Sequence, residues 1–118
     1  MAIVSAIIGA FLGTLAIEKI KERNIISHIK SRIKNTDDLL ERGIIIDALS
    51  EYKSMLSTVS YKNYPQEYAH IKEKEGTCYS DIAETCDKEN NLQRAIQAYE
   101  ETLKIRTVEK YPIDYGYL

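Results

Sequence analysis

The feature that most constrains the fold of this sequence is an internal repeat with a period of 47 residues. A shift of that length aligns identical residues at five places: Ala48 with Ala95, Tyr52 with Tyr99, Leu56 with Leu103, Tyr64-Pro65 with Tyr111-Pro112, and Tyr68 with Tyr115. Repeats of this length are typical of small structural units that bury their apolar faces against neighbouring units. The repeat therefore predicts two similar units and the beginning of a third.

The repeated positions also have helical spacing. In the first copy, apolar residues recur at i, i+4, i+8 and i+11: Ala48, Tyr52, Leu56 and Val59. This spacing places them on one face of a helix, and the second copy keeps Ala95, Tyr99 and Leu103 on the same face. Each copy therefore predicts a helix with one buried stripe.

A further helix is predicted before each of these, over residues 25–40 and 67–86. Gly43 is suited to end the earlier helix, and residues 87–91 supply polar turn residues after the later one. Pro65 and Pro112 stand where the next helix of each copy would begin, because proline is tolerated in the first helical turn. With 44% apolar and 29% charged residues, the composition is that of a globular chain.

The second copy carries a dense set of motif residues: Tyr64-Pro65, Tyr68-Ala69, Gly76, Tyr79, Ile82-Ala83-Glu84, Asp87-Lys88, Asn91, Ala95-Ile96-Gln97-Ala98-Tyr99-Glu100-Glu101, Leu103-Lys104 and Tyr111-Pro112. On these residues the stretch 64–118 resembles the long-period tetratricopeptide repeats (TPRs) of methanogenic archaea. Residues 25–62 resemble a divergent copy. The resemblance implies an all-α fold in which antiparallel helix-turn-helix repeats stack as a short right-handed α-solenoid.

The same resemblance implies a concave groove that is lined by the first helix of each repeat and binds a peptide or protein. On this basis the predicted groove residues are Arg23, Ile26, Lys30, Lys34, His70, Glu73, Thr77 and Asp81. They lack the Lys and Asn pattern of the chaperone-binding subgroup, so chaperone binding is not expected. Glu75 departs from the family pattern, which has an apolar residue there, and a buried carboxylate at this position would need a partner such as Lys72 or Lys74.

The first seventeen residues form a second distinctive segment. Residues 2–17 are sixteen consecutive positions without a charge, and six Lys or Arg follow between residues 18 and 34 against two Glu. Two interpretations remain open: an N-terminal membrane anchor that holds the rest on the cytoplasmic side, or an apolar helix that packs on the first repeat or on a partner. We therefore expect an apolar N-terminal helix at 1–17 and a TPR-like domain at 18–118, with repeats near 18–63 and 64–110 and a partial third at 111–118.

Other chemistry finds little support in the sequence. Cys78 and Cys86 lie eight residues apart in a predicted helix, about 12 Å along its axis, which is too far for a disulfide, and we expect both to be buried free thiols. Neither His28 nor His70 has metal-ligand spacing with other residues, and no phosphate-binding loop or nucleophile motif occurs. The net charge of −2 argues against nucleic acid. We therefore expect no metal, no cofactor and no enzymatic activity.

The leading hypothesis is a cytoplasmic protein-interaction adaptor whose partner is an unidentified protein or peptide. The alternative is a small membrane-anchored subunit of a complex, with residues 1–17 as the anchor and the repeats as the docking surface. A stack of this kind generally needs about three or more repeats. The incomplete third repeat therefore leads us to expect an open apolar end, through which copies of the chain could also associate.

Overall fold

The computed structural model describes the backbone of residues 2–106 and the side chains of residues 13–106. This part of the chain forms four α-helices, α1 (Ala2–Glu41), α2 (Ile45–Met55), α3 (Pro65–Ala83) and α4 (Lys88–Ile105). It contains no β-strand, which confirms the predicted all-α class. The partial third repeat at 111–118, with Tyr111-Pro112, lies outside the described residues.

The prediction of a separate apolar helix at the N-terminus was wrong. Residues 2–17 do not form a separate apolar helix but are the first part of a helix of 40 residues that continues to Glu41. Good helix formers without proline allow this continuity across the charged stretch. The helix ends before Gly43, whose φ of +80° is the left-handed conformation predicted for a helix stop.

The chain divides into two compact units, Met1–Arg32 and Ile33–Leu118. The first unit consists of the N-terminal part of α1, where Leu15, Ile17, Ile20 and Ile25 are exposed. Within residues 2–106, no helix is both long and apolar enough to cross a membrane. The second unit contains the end of α1 and the three shorter helices.

In the second unit, α3 packs against both α2 and α4. It begins at Pro65, as the sequence predicted. The core contains the small and aromatic residues of the repeat, since Ala48, Tyr52 and Ala95 are buried. Other buried side chains come from these helices and from the connection between α2 and α3, to which Val59 belongs: Met55, Val59, Ile71, Cys78 and Ile105.

Helices α3 and α4 are antiparallel and in close contact. The Thr102 hydroxyl donates to the carbonyl oxygen of Ala69 at 3.3 Å, and Asn91 Nδ2 donates to the carbonyl oxygen of Cys86 at 2.8 Å. Later residues of α4 thus meet earlier residues of α3. A Cβ atom added at Gly76 would lie 2.8 Å from Cε1 of Tyr99, so glycine at this position allows the two helices to approach.

Two predictions about the connection between α3 and α4 were wrong. Cys86 is exposed because α3 ends at Ala83, three residues before it. Residues 88–91 were expected to form a turn, but they are the first turn of α4. The chain reverses over fewer residues, with Asp87 in the left-handed conformation at φ 38°, which aspartate tolerates better than most residues.

Candidate interaction surfaces

An exposed apolar stripe runs along α4. Leu92, Ile96 and Leu103 are 38%, 56% and 60% exposed, and the partly exposed Tyr99 lies between them. The four residues stand at i, i+4, i+7 and i+11, so they share one face of the helix. We call this set the α4 stripe. Its exposure corrects the prediction for Leu103, which was expected to lie in a buried stripe.

The register of the repeat allows the α4 stripe to be compared with its counterpart on α2. The 47-residue shift pairs it with Ile45, Leu49, Tyr52 and Leu56. In this earlier stripe Tyr52 has no exposed surface and the other three residues are half-buried. Helix α3 packs against α2. The later stripe is thus the more exposed member of every pair.

The predicted groove residues on α3 make contacts within the second unit. His70 Nε2 lies 2.7 Å from Asp37 Oδ2, and the Thr77 hydroxyl lies 3.2 Å from the hydroxyl of Tyr99. Asp81 is half-buried. These side chains are therefore only partly open to a ligand, and their role in binding stays a prediction.

Glu73, a fourth predicted groove residue on α3, forms an ion pair. Its Oε2 accepts from Nη1 of Arg106 at 2.6 Å, and about a third of each side chain is exposed. This pair joins α3 to the end of α4. Any partner that binds the carboxylate of Glu73 would therefore share it with Arg106.

The predicted groove residues on α1 are divided between the two units. Arg23, Ile26 and Lys30 lie in the first unit and Lys34 in the second. Ile26 is partly buried, and the three basic side chains are exposed. Their role in binding also stays a prediction.

Asp37 forms a polar cluster that the sequence did not indicate. Its carboxylate accepts a hydrogen bond from the hydroxyl of Tyr52 on α2 and contacts His70 on α3. Burial of Tyr52, together with its hydrogen bond to Asp37 and the negative charge there, raises the pKa of the Tyr52 hydroxyl. The phenol therefore stays a donor at physiological pH, and one carboxylate links three helices.

A cleft of about 480 Å³ lies between α3 and α4. Its walls are mostly polar and charged: Tyr68, Lys72, Glu75, Tyr79, Arg94, Gln97, Ala98, Glu100 and Glu101. The residues from α3 stand at i, i+4, i+7 and i+11, which places them on one face of that helix. None of the nine belongs to the α4 stripe, so the cleft is a separate candidate site.

Glu75 is the least usual residue in this cleft. It is only 9% exposed, and its Oε2 atom is buried without a hydrogen-bond partner. Lys72, one of the two partners that the sequence suggested, has its Nζ atom 3.7 Å from that oxygen. This distance permits an ion pair but is longer than a hydrogen bond. The departure from the repeat pattern was the sequence signal for this site.

Neither a search for metal sites nor comparison with known proteins assigns a function to this chain. Among residues 13–106, no group of three or more His, Cys, Asp or Glu side chains is placed to hold a metal ion. No family model matches the chain, and no curated protein or solved structure is significantly similar to it. The candidate function is therefore argued from the two surfaces themselves.

Proposed function

We propose that this protein is an interaction adaptor of the tetratricopeptide type, and that the α4 stripe binds a helix supplied by another polypeptide. The observation that carries the proposal is the difference between the two stripes. The stripe on α2 is half-buried, with Tyr52 fully buried, in a helical packing that includes α3, while its register counterpart on α4 is more exposed at every position. A helix equivalent to α3 would bury the α4 stripe in the same way.

The chemistry of the stripe supports a helical occupant. Apolar side chains at i, i+4, i+7 and i+11 are the pattern by which one amphipathic helix recognises another. Leu92, Ile96 and Leu103, with Tyr99 between the last two, lie in one row along the helix, whereas single exposed apolar residues are ordinary on a protein surface. Fully burying one leucine or isoleucine contributes about 1.5 to 3 kcal/mol. Because the three side chains are 38–60% exposed, roughly half of that remains to be gained at each of them when a partner helix covers the stripe.

The repeat architecture supports the proposal independently. Helix α3 contacts both its neighbours in the chain, as the middle helix of a stack would. The contact of Gly76 with Tyr99 joins two residues that carry the resemblance to tetratricopeptide repeats. In this proposal the helix pairs are stacked repeats, and the partner continues the stack beyond α4.

A peptide with the sequence of residues 64–83 provides a direct test, because it contains the helix that packs against α2. We expect a fluorescently labelled form to bind the intact protein saturably, as measured by anisotropy. The double variant Ile96→Glu, Leu103→Glu should weaken binding at least tenfold. The matched control is Ile46→Glu on α2, which changes an isoleucine that is 66% exposed and outside both stripes.

Two results would contradict the proposal. One is the absence of saturable binding to the wild-type protein, and the other is equal binding to the stripe variant and to Ile46→Glu. Circular dichroism of each variant establishes that it is folded. Light scattering of the unlabelled protein measures whether the chain forms a dimer. A dimer that dissociates only in the stripe variant would identify a second copy of the chain as the helix donor.

A further inference from the structure

The cleft between α3 and α4 contains a buried carboxylate oxygen to which none of the described residues donates a hydrogen bond. Glu75 Oε2 is buried without a hydrogen bond, and the nearest cation that contacts it, Lys72 Nζ, lies 3.7 Å away. Removing a carboxylate from water without giving it hydrogen bonds is costly. A ligand that brings a cationic donor to this oxygen would offset that cost.

The cations around the cleft are held by aromatic rings and by other acceptors. The Lys53 ammonium and the Arg94 guanidinium lie 5.3 and 5.9 Å from the ring centroid of Tyr79. Arg94 Nη1 also donates to Oδ1 of Asn91 at 3.0 Å. Lys72 Nζ lies 5.9 Å from the ring centroid of Tyr68. These cations thus leave Glu75 Oε2 without a donor.

Glu101, another carboxylate of the cleft, already accepts a hydrogen bond from Tyr68, unlike Glu75 Oε2. Burial, followed by the negative charges of Glu101 and Glu75 and a hydrogen bond to Glu101, raises the pKa of Tyr68. Tyr68 therefore stays protonated and donates to Glu101. Two cations and three carboxylates line the cleft, which leaves one excess negative charge: Lys72, Arg94, Glu75, Glu100 and Glu101.

We propose that this cleft binds an arginine side chain of a peptide ligand, with the guanidinium donating to Glu75 and lying against Tyr68. Guanidinium is the best match because it is planar, donates through several N–H groups, stacks on aromatic rings and is weakly hydrated. The cleft of about 480 Å³ is large enough for this side chain. On binding, the ammonium of Lys72 moves away from Glu75, so the ion pair at 3.7 Å is replaced by hydrogen bonds from the guanidinium, and no hydrogen bond to Oε2 is broken.

The experiment is a titration of the ¹⁵N-labelled full chain with N-acetyl-arginine amide, followed by NMR. Its matched neutral probe is N-acetyl-citrulline amide, which has nearly the same shape but no positive charge. We expect saturable shifts of backbone amides around Lys72, Glu75 and Gln97, with a Kd of about 1 to 10 mM, as suits a single side chain. Citrulline should bind at least tenfold more weakly.

Three variants assign the effect to the cleft. Glu75→Gln should weaken arginine binding at least tenfold, while Glu84→Gln, at an exposed position just beyond α3, should leave it unchanged. Lys72→Met should bind arginine at least as tightly as the wild type, because it removes a competing cation. Thermal unfolding of Glu75→Gln establishes that the variant is folded.

Several outcomes would overturn the assignment: equal binding of arginine and citrulline, unchanged binding in Glu75→Gln, weaker binding in Lys72→Met, or no saturable shift at about 50 mM, well above the expected Kd. The test is independent of the proposed function. Loss of peptide binding at Ile96 and Leu103 concerns a different surface, so either proposal can fail without the other.

Discussion

Asp37 and His70 are 33 residues apart in the chain, yet their side chains meet with Oδ2 and Nε2 2.7 Å apart. The other carboxylate oxygen of Asp37 accepts from the hydroxyl of Tyr52, a residue with no exposed surface. Tyr52 is a repeated residue, but Asp37 and His70 are not, so the sequence repeat does not indicate either contact. Together they connect the C-terminal part of α1 to α2 and α3, and they should contribute measurably to the stability of the second unit.

Replacing Asp37 by alanine should lower the free energy of unfolding by about 2 to 3 kcal/mol. The substitution removes an acceptor that carries a charge and leaves the buried hydroxyl of Tyr52 without a partner. Urea unfolding followed by circular dichroism measures the change. Asp37→Asn should cost less, because the amide oxygen can still accept from Tyr52.

The adjacent residue provides the control for this prediction. Asp38 forms an ion pair with Arg42 at 3.6 Å, and both side chains are more than 60% exposed. Because exposed pairs of this kind contribute little, Asp38→Ala should change stability by no more than about 0.5 kcal/mol. Equal losses in the two alanine variants would show that the Asp37 cluster does not stabilise the unit.

Replacing Gly76 by alanine should lower the stability of the protein, whereas replacing Gly13 by alanine should raise it. At Gly76 the added Cβ would lie 2.8 Å from Tyr99 Cε1, so we expect a loss of about 1 to 3 kcal/mol from overpacking. At Gly13 no atom lies within 4 Å of the added carbon, and alanine should stabilise the helix by about 0.5 to 1 kcal/mol. Thermal unfolding of both variants measures the two effects.

A second substitution tests whether Tyr99 is the cause. In a Tyr99→Ala background, Gly76→Ala should be close to neutral or stabilising, since the obstructing ring is gone and alanine favours helix. If Gly76→Ala costs the same with and without the ring, the close approach of α3 and α4 at this point is not what requires glycine.

Alkaline pH should destabilise the protein through Cys78. Burial, with smaller effects from the charges of Asp81 and Glu75, raises the pKa of this thiol from 9.0 to about 12. The thiol's contribution to stability is therefore complete below pH 9.0 and is lost as the pH rises from there through about 12. Between pH 8 and pH 9.5 the free energy of unfolding should fall by about 0.8 kcal/mol from this group.

Alanine variants of the two cysteines distinguish the titration of Cys78 from that of other groups. Cys78→Ala should remove most of the fall over this pH range, whereas Cys86→Ala should retain it, because Cys86 is exposed on the connection before α4. Urea unfolding at several pH values measures both. Tyr52 and Tyr68, whose pKa values are also raised, contribute mainly above pH 10. Identical pH profiles for the wild type and Cys78→Ala would contradict the prediction.

The sequence predicted local structure better than it predicted contacts. Helical spacing and Pro65 were sufficient for the class and for the start of α3, because both depend on neighbouring residues. The continuity of α1 was missed, because a change from apolar to charged residues alters the surface of a helix without interrupting it. Composition alone therefore misplaced a helix boundary.

The sites were predicted less completely, for physical reasons that individual residues illustrate. Periodicity identified the apolar face with Leu103 but did not show whether another helix covers it. Asp37 contacts residues 15 and 33 positions away in the chain, and contacts at such separations produce no periodic pattern in the sequence. Glu75 was recognised only because it departs from a pattern, and its unpartnered oxygen required atomic positions.

The ion pair between Glu73 and Arg106 allows the predicted groove to be tested without loss of the fold. Their side chains lie 2.6 Å apart and are about one third exposed. Glu73→Arg should therefore destabilise the protein by about 1 kcal/mol, since it places two cations together. Adding Arg106→Glu should recover at least half of the loss. Urea unfolding of the two single variants and the double variant measures the coupling.

The charge-swapped double variant is also informative about binding. It keeps an ion pair between α3 and α4 but reverses the charge that Glu73 presents to the predicted groove. A peptide or protein that reads this charge should lose affinity at least tenfold for the folded double variant, which separates recognition from stability. Unchanged affinity, together with a loss in the Ile96→Glu, Leu103→Glu variant, would place recognition on the α4 stripe and exclude Glu73 from the binding site.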